Sequence, residues 1–137
     1  MTQPTYSSST SLNVTGLNSL ANGSSATSDA LNNTSLKYLD IVFQLTYKFA
    51  SNPTVGNAIV ISVLGSLDNS TYDDIASVPT LTIPVTADTN SHNYSFFLNS
   101  LFGGITPPPY LKIKITNNGG QALASSGNAL NYVGINY

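Results

Sequence analysis

Pro107–Gly120 reads PPPYLKIKITNNGG, and this stretch decides the fold. Three prolines fix φ and remove three backbone donors, so no regular element runs through them. Leu111, Ile113 and Ile115 then alternate with Lys112, Lys114 and Thr116, a period of two that puts three aliphatic side chains on one face. Asn117, Asn118, Gly119 and Gly120 follow, residue types that accept positive φ at low cost and so end the run. The spacing predicts a strand with Leu111, Ile113 and Ile115 in a core, Lys112 and Lys114 outside, and a hard stop at each end.

The same period recurs on both sides. Leu36–Phe49 places Leu39, Ile41, Phe43, Leu45, Tyr47 and Phe49 on one face and Asp40, Gln44, Thr46 and Lys48 on the other. A run this long can bend or switch sheets midway. Ser51–Asn57, with Pro53 and Gly56, reads as a turn. Ala58–Leu64 is apolar on both faces, as in a central strand covered on both sides or one covered by a neighbouring subunit. Leu81–Val85 is interrupted by Pro84 and belongs at an edge or a bulge. Tyr94–Leu98 and Leu130–Tyr137 complete the set, the first with Tyr94, Phe96 and Leu98 together. Seven or eight short strands without a helix longer than a turn predict an all-β chain, a single β-sandwich of jelly-roll type.

Residues 1–35 differ in texture: SSSTS, NGSSATS and NNTS separate isolated apolar positions at Leu12, Val14, Leu17, Leu20 and Leu31. So little apolar surface does not offset the segment's own ordering entropy. The segment orders against its own sandwich or a neighbour; the alternative is a loosely ordered tail. Leu12 and Val14 suit a short strand, Leu17–Gly23 one helical turn closed by glycine, and Ala26–Leu31 an edge strand. The organisation expected is an extended N-terminal arm over residues 1–23 and a sandwich domain over 24–137.

Composition narrows the function classes. The 137 residues suffice for one core, and 41% are hydrophobic, but only 7% are charged. Ser, Thr and Asn supply the polarity instead. With a net charge of −2 and only four basic side chains, all lysines, phosphate neutralisation cannot drive nucleic-acid binding. The absence of cysteine excludes disulfides and thiolate metal sites and fits assembly in a reducing cytosol. The N-terminus has neither the basic nor the apolar region of a signal peptide, and no apolar run is long enough to span a bilayer. No membrane partner is expected. Sequons such as Asn69-Ser70-Thr71 arise by chance in a chain this rich in Asn, Ser and Thr.

Side chains able to carry chemistry are few. Asp68, Asp73 and Asp74 form the one acidic cluster, yet the calcium-loop glycine and terminal glutamate are missing, and a solvated loop is the expectation. Asp73 and Asp74 are adjacent, with no facing partner across a cleft as a glycosidase pair would need. His92 is the single histidine, in the polar turn TNSHN, with no second ligand type near it in sequence. Neither a nucleophile elbow nor a phosphate-binding glycine loop is present. No catalytic, cofactor-binding or metal-ligating residue is expected, no cofactor, and no enzymatic activity. Of the eight tyrosines, Tyr72, Tyr110, Tyr132 and Tyr137 fall at strand ends or the terminus, either reachable by a partner or capping the sandwich. Lys112 and Lys114 read as a device against edge-to-edge aggregation.

An ordered set of short pieces resembles one family. Leu17-Asn18-Ser19-Leu20-Ala21-Asn22-Gly23-Ser24, Gly65-Ser66-Leu67-Asp68 with Tyr72-Asp73-Asp74, Pro108-Pro109-Tyr110-Leu111, Ile115–Leu123 (ITNNGGQAL) and Asn131-Tyr132-Val133-Gly134 look like the small virion structural proteins of tailed bacteriophages, of capsid decoration or cement type. The resemblance extends from about residue 17 to the end and brings no catalytic motif. It implies a β-sandwich that binds the major capsid protein on the outer surface of an icosahedral shell and holds capsomers together. It further implies self-association, as a homotrimer, and a virion location after synthesis in the host cytoplasm. Residues 1–20 and the loops at one end of the sandwich would make those contacts. A tail or fibre module binding host-surface glycans is the alternative.

Overall fold

In the computed structural model, which describes residues 3–74, 78, 80–101 and 106–137, the stretch from Pro107 becomes an interior strand. The elements run β1 (Thr5–Tyr6), β2 (Thr10–Leu12), β3 (Ser25–Thr27), β4 (Leu31–Asn32), α1 (Asn33–Leu36), β5 (Asp40–Tyr47), β6 (Ala58–Ser66), β7 (Thr80–Pro84), β8 (His92–Phe97), α2 (Leu98–Leu101), β9 (Tyr110–Asn118) and β10 (Ala129–Asn136). All pairings are antiparallel. In the first sheet β1 and β2 both lie along β10, followed by β5 and β8; in the second, β3 and β4 both lie along β9, followed by β6 and β7.

Each of those short pairs acts as one interrupted edge strand. Counted so, the sheets read 1-8-3-6 and 2-7-4-5, the order of an eight-stranded jelly roll. Most of this pairing joins strands distant in the chain, the first lying along the last and the second along the seventh, and β6 and β7 are the consecutive pair. The core lies between the sheets, where Ile41, Phe43, Leu45, Ile59, Ile61, Val63, Leu111, Ile113 and Ile115 have no exposure. Each such side chain contributes about 1.5–3 kcal/mol relative to an exposed one. Phe43 stacks on Phe96 at 5.4 Å between ring centroids and meets Tyr132 at 6.3 Å.

Several local expectations need correction. The strand expected to begin at Leu36 begins at Asp40, because Asn33–Leu36 closes a helical turn and Lys37 takes a left-handed φ of 57°. Leu39 therefore leaves the core face and is 44% exposed. The helical turn expected before Gly23 is instead a run of tight turns with Gly16 and Gly23 at positive φ. β9 continues through Asn117 and Asn118, and only Gly120 of the terminating group has positive φ, 91°. Asn117 is wholly buried, and Gly119 is needed for space: a Cβ there would fall on the Phe49 ring. Lys112 and Lys114 cannot guard an edge, because β9 is paired on both sides.

The arm residues 5–12 are extended and form the edge of the first sheet, with Thr5 opposite Asn136 and Leu12 opposite Leu130. Leu12, Leu17 and Leu20 all join the core. β7, with Pro84, is the edge of the second sheet, where proline costs no ladder bond. Val60 and Leu64, on the outer face of β6, are half-buried.

Candidate functional site

β6 ends at Ser66 directly beside the start of β9 at Tyr110, and the chain between Ser66 and Asp74 folds back over that end of the sandwich. Asp68 organises it. Its Oδ1 accepts from the backbone N–H of Thr71 at 2.8 Å and of Ser70 at 2.9 Å, and from Ser66 Oγ at 3.1 Å. Its Oδ2 accepts from Thr71 Oγ1 at 3.3 Å. The Thr71 and Ser70 N–H groups, in that order, hold the carboxyl well below the usual range. Asn69 takes φ 63° at the tip, and its side-chain oxygen accepts from the Tyr72 hydroxyl at 2.6 Å.

Asp73 closes the loop. Its Oδ2 accepts from Gly65 N at 2.8 Å while its own N–H donates to the Gly65 carbonyl at 3.0 Å. Gly65 suits this approach, since a Cβ there would meet Asp73 Oδ2 at 3.0 Å and Pro108 Cγ at 3.2 Å. The result is a cleft of about 590 Å³ between the loop and the Thr106–Pro108 segment, walled by Leu67, Tyr72 and Pro108. The Lys112 ammonium lies 4.3 Å from the centre of the Tyr72 ring, a cation–π contact that fixes the ring against the sheet. Burial, then the Asp68 charge and Tyr110, push the Tyr72 hydroxyl up.

The carboxylates that the sequence groups together thus do separate backbone tasks. Asp68 caps the tip, and Asp73 ties it to β6. Among the described residues no group of three or more His, Asp or Glu side chains converges on a point. His92, at the start of β8, has Nε2 at 2.8 Å from Asp88 Oδ1 and 3.1 Å from Thr86 Oγ1, and its ring stacks on Tyr47 at 5.5 Å. The bond to His92, then the Asn90 N–H, holds the Asp88 carboxyl below its ordinary range. This is a turn clasp beside the edge of the sheet.

The tyrosines divide by position. Tyr72 and Tyr110 sit at the cleft end, Tyr6 and Tyr137 are 65% and 68% exposed, and Tyr132 lies within β10 against Phe43 rather than at a strand end. Two asparagines that sequence patterning treats as turn or loop residues turn out to be clips. Asn117 Nδ2 donates to the carbonyls of Leu20 and Gln121 at 2.9 and 2.8 Å, and its Oδ1 accepts from Gly119 N at 3.0 Å. Asn128 joins Lys48 N, the Ala124 carbonyl and Asn18 Oδ1. No sequence signal separates these two from the many asparagines around them.

No protein-family model matches the chain, and no characterised protein matches it by sequence. Among solved structures, a ruminal GH26 endo-β-1,4-mannanase is 11% identical with a TM-score of 0.38 over 83% of this chain, which spans only 18% of that enzyme's length. A structure of Desmodium yellow mottle tymovirus is 10% identical, TM-score 0.42, covering 98% of this chain and 87% of the other. The CBM22-1 xylan-binding domain from Paenibacillus barcinonensis Xyn10C is 13% identical, TM-score 0.41, over 96% and 83%. At such identities and TM-scores these likenesses carry no argument about what the chain does.

Proposed function

We propose that the chain is a non-enzymatic structural protein of a phage virion, seated on the outer surface of the shell, where it binds the major capsid protein and holds neighbouring capsomers together. The observation that carries this reading is the use of its polar side chains. Asp68, Asp73, Asp88, Asn117 and Asn128 are taken up in holding backbone or closing turns. What remains is a sandwich with hydroxyl- and amide-rich faces and with its first and last described strands tied into one sheet, the properties of a building block. The proposed partners are the capsid protein and further copies of the chain; nucleic acid and membrane are not among them. The test is to add the purified protein to shells lacking it and measure occupancy and the temperature at which the shells rupture. Saturable occupancy with a raised rupture temperature is expected, and failure to bind would overturn the reading.

A second reading, a tail or fibre module for host-surface glycans, draws on the cleft beside Tyr72, whose aromatic wall and hydroxyl groups suit a neutral sugar. Retention of the isolated protein on a glycan array, lost in Tyr72→Ala, would favour it over the shell.

A further inference from the structure

The outer faces of the two sheets differ in charge. The second sheet presents Lys112 and Lys114 from β9. In the first, register places Val42, Gln44 and Thr46 of β5 beside Ala129, Asn131 and Val133 of β10, and Asn93, Ser95 and the 50% exposed Phe97 of β8 on the far side. None of these is ionisable. Gln44 bonds Ser95 at 3.1 Å and Thr46 bonds Asn93 at 2.7 Å, so amides and hydroxyls of neighbouring strands are joined across the exposed face. Asp40, at one end of the face, is buried and accepts from the N–H groups of Ile41 and Asn99. Lys48 lies beyond the other end of β5.

This face also has relief. After Tyr6 the chain bonds Gly134 through Ser7 and then leaves the sheet until Thr10, so the edge is interrupted. A notch of about 170 Å³ opens there, bordered by Ser9, Val42, Gln44, Ser95, Asn131 and Val133. Tyr6, 65% exposed, stands on the same face opposite Ile135, two residues along β10 from Val133. One face thus carries both an aromatic knob and a ring-sized recess.

We propose that the outer face of the first sheet seats a second copy of this chain, with Tyr6 of each copy in the notch of the other. Two arguments select that occupant. In a two-fold interface each group meets the surface of its own copy, so a face bearing lysines confronts itself with like charge, whereas an uncharged face, where amides and hydroxyls that both donate and accept lie beside Val42, Val133 and Phe97, is its own complement. Size is compatible: strands about 4.8 Å apart with about 3.3 Å per residue give a face of about 430–500 Å², so a pair removes about 900–1,000 Å², the low end for a specific contact. Sheet-on-sheet seating closes with two copies, so the inference departs from the trimer that the family resemblance implies, and it is independent of where the pair docks.

Sedimentation equilibrium over a range of concentrations tests it. The expected mass is twice the 14.4 kDa of one chain, unchanged between low and high salt because no charges are paired. Gln44→Lys and Val133→Asp, which bring a charge to the face twice over, should weaken the pair at least about tenfold. Tyr6→Ala should weaken it less, and Lys114→Glu on the other sheet should leave it intact. Gln44 is exposed, so its variant keeps its circular dichroism and melting temperature even where Val133→Asp does not. A wild-type monomer or trimer, or a pair indifferent to Gln44→Lys, would overturn the proposal.

Discussion

Asn117 shows how a single side chain in this protein can matter more than its type suggests. It is wholly buried, and its three hydrogen bonds join the Leu20 turn, the Gln121 carbonyl and the start of the β9–β10 connection. Replacing it with alanine takes the only side-chain partner from the buried Gly119 N–H and one from the Gln121 carbonyl, while the Leu20 carbonyl keeps the Leu123 N–H at 3.0 Å. The expected loss is about 1–3 kcal/mol, the cost of a stranded buried polar group. Urea unfolding should show a lower midpoint with an unchanged slope. The neighbouring Asn118, exposed on β9, should tolerate the same change with little effect. A loss at Asn118 equal to that at Asn117 would refute the clip.

At the scale of elements, two turns depend on carboxylates whose folded values lie below the unfolded one. Asp68 holds the loop after β6, and Asp88 the turn before β8. For a depressed carboxyl the sign is fixed: its contribution is full above the unfolded value of 3.8 and falls away as pH drops through the folded value. The melting temperature should therefore be level from neutral pH to about 4 and decline below it. In Asp68→Asn the neutral-pH stability should be lower and the acid decline shallower. An acid decline identical to wild type would remove Asp68 from the account. The strands bearing these turns are legible in sequence: alternation of apolar and polar residues follows directly from the pleat and marks β5, β8 and β9, while β6 shows as a short run apolar on both faces. The loop chemistry is not, because Asp68 and Asp73 look alike until the backbone N–H groups they accept from are in place. The edges are hard for another reason: β1 to β4 are two or three residues long and take their order from β9 and β10, not from their own pattern.

At the scale of the molecule, the jelly-roll order makes the chain's two ends neighbours, since β1 and β2 lie along β10. Residues 5–12 extend as an arm would, but the surface they cover is their own sheet. Deleting residues 2–12 removes more than a contact. It uncovers the ladder groups of β10 and takes Leu12, 8% exposed, out of the core. The destabilisation should reach at least about 2 kcal/mol, the lower end for truncating one buried leucine, with hydrogen exchange accelerated along β10. The full chain should unfold in one transition, with N-terminal and C-terminal probes coincident. Loss of shell occupancy by that deletion would then report a damaged sheet as readily as a lost contact. Tyr6→Ala separates the two, because it removes an exposed ring and leaves the ladder whole. If the deletion variant melts at the wild-type temperature with unchanged exchange along β10, the N-terminal strands are not part of the fold's cooperative unit.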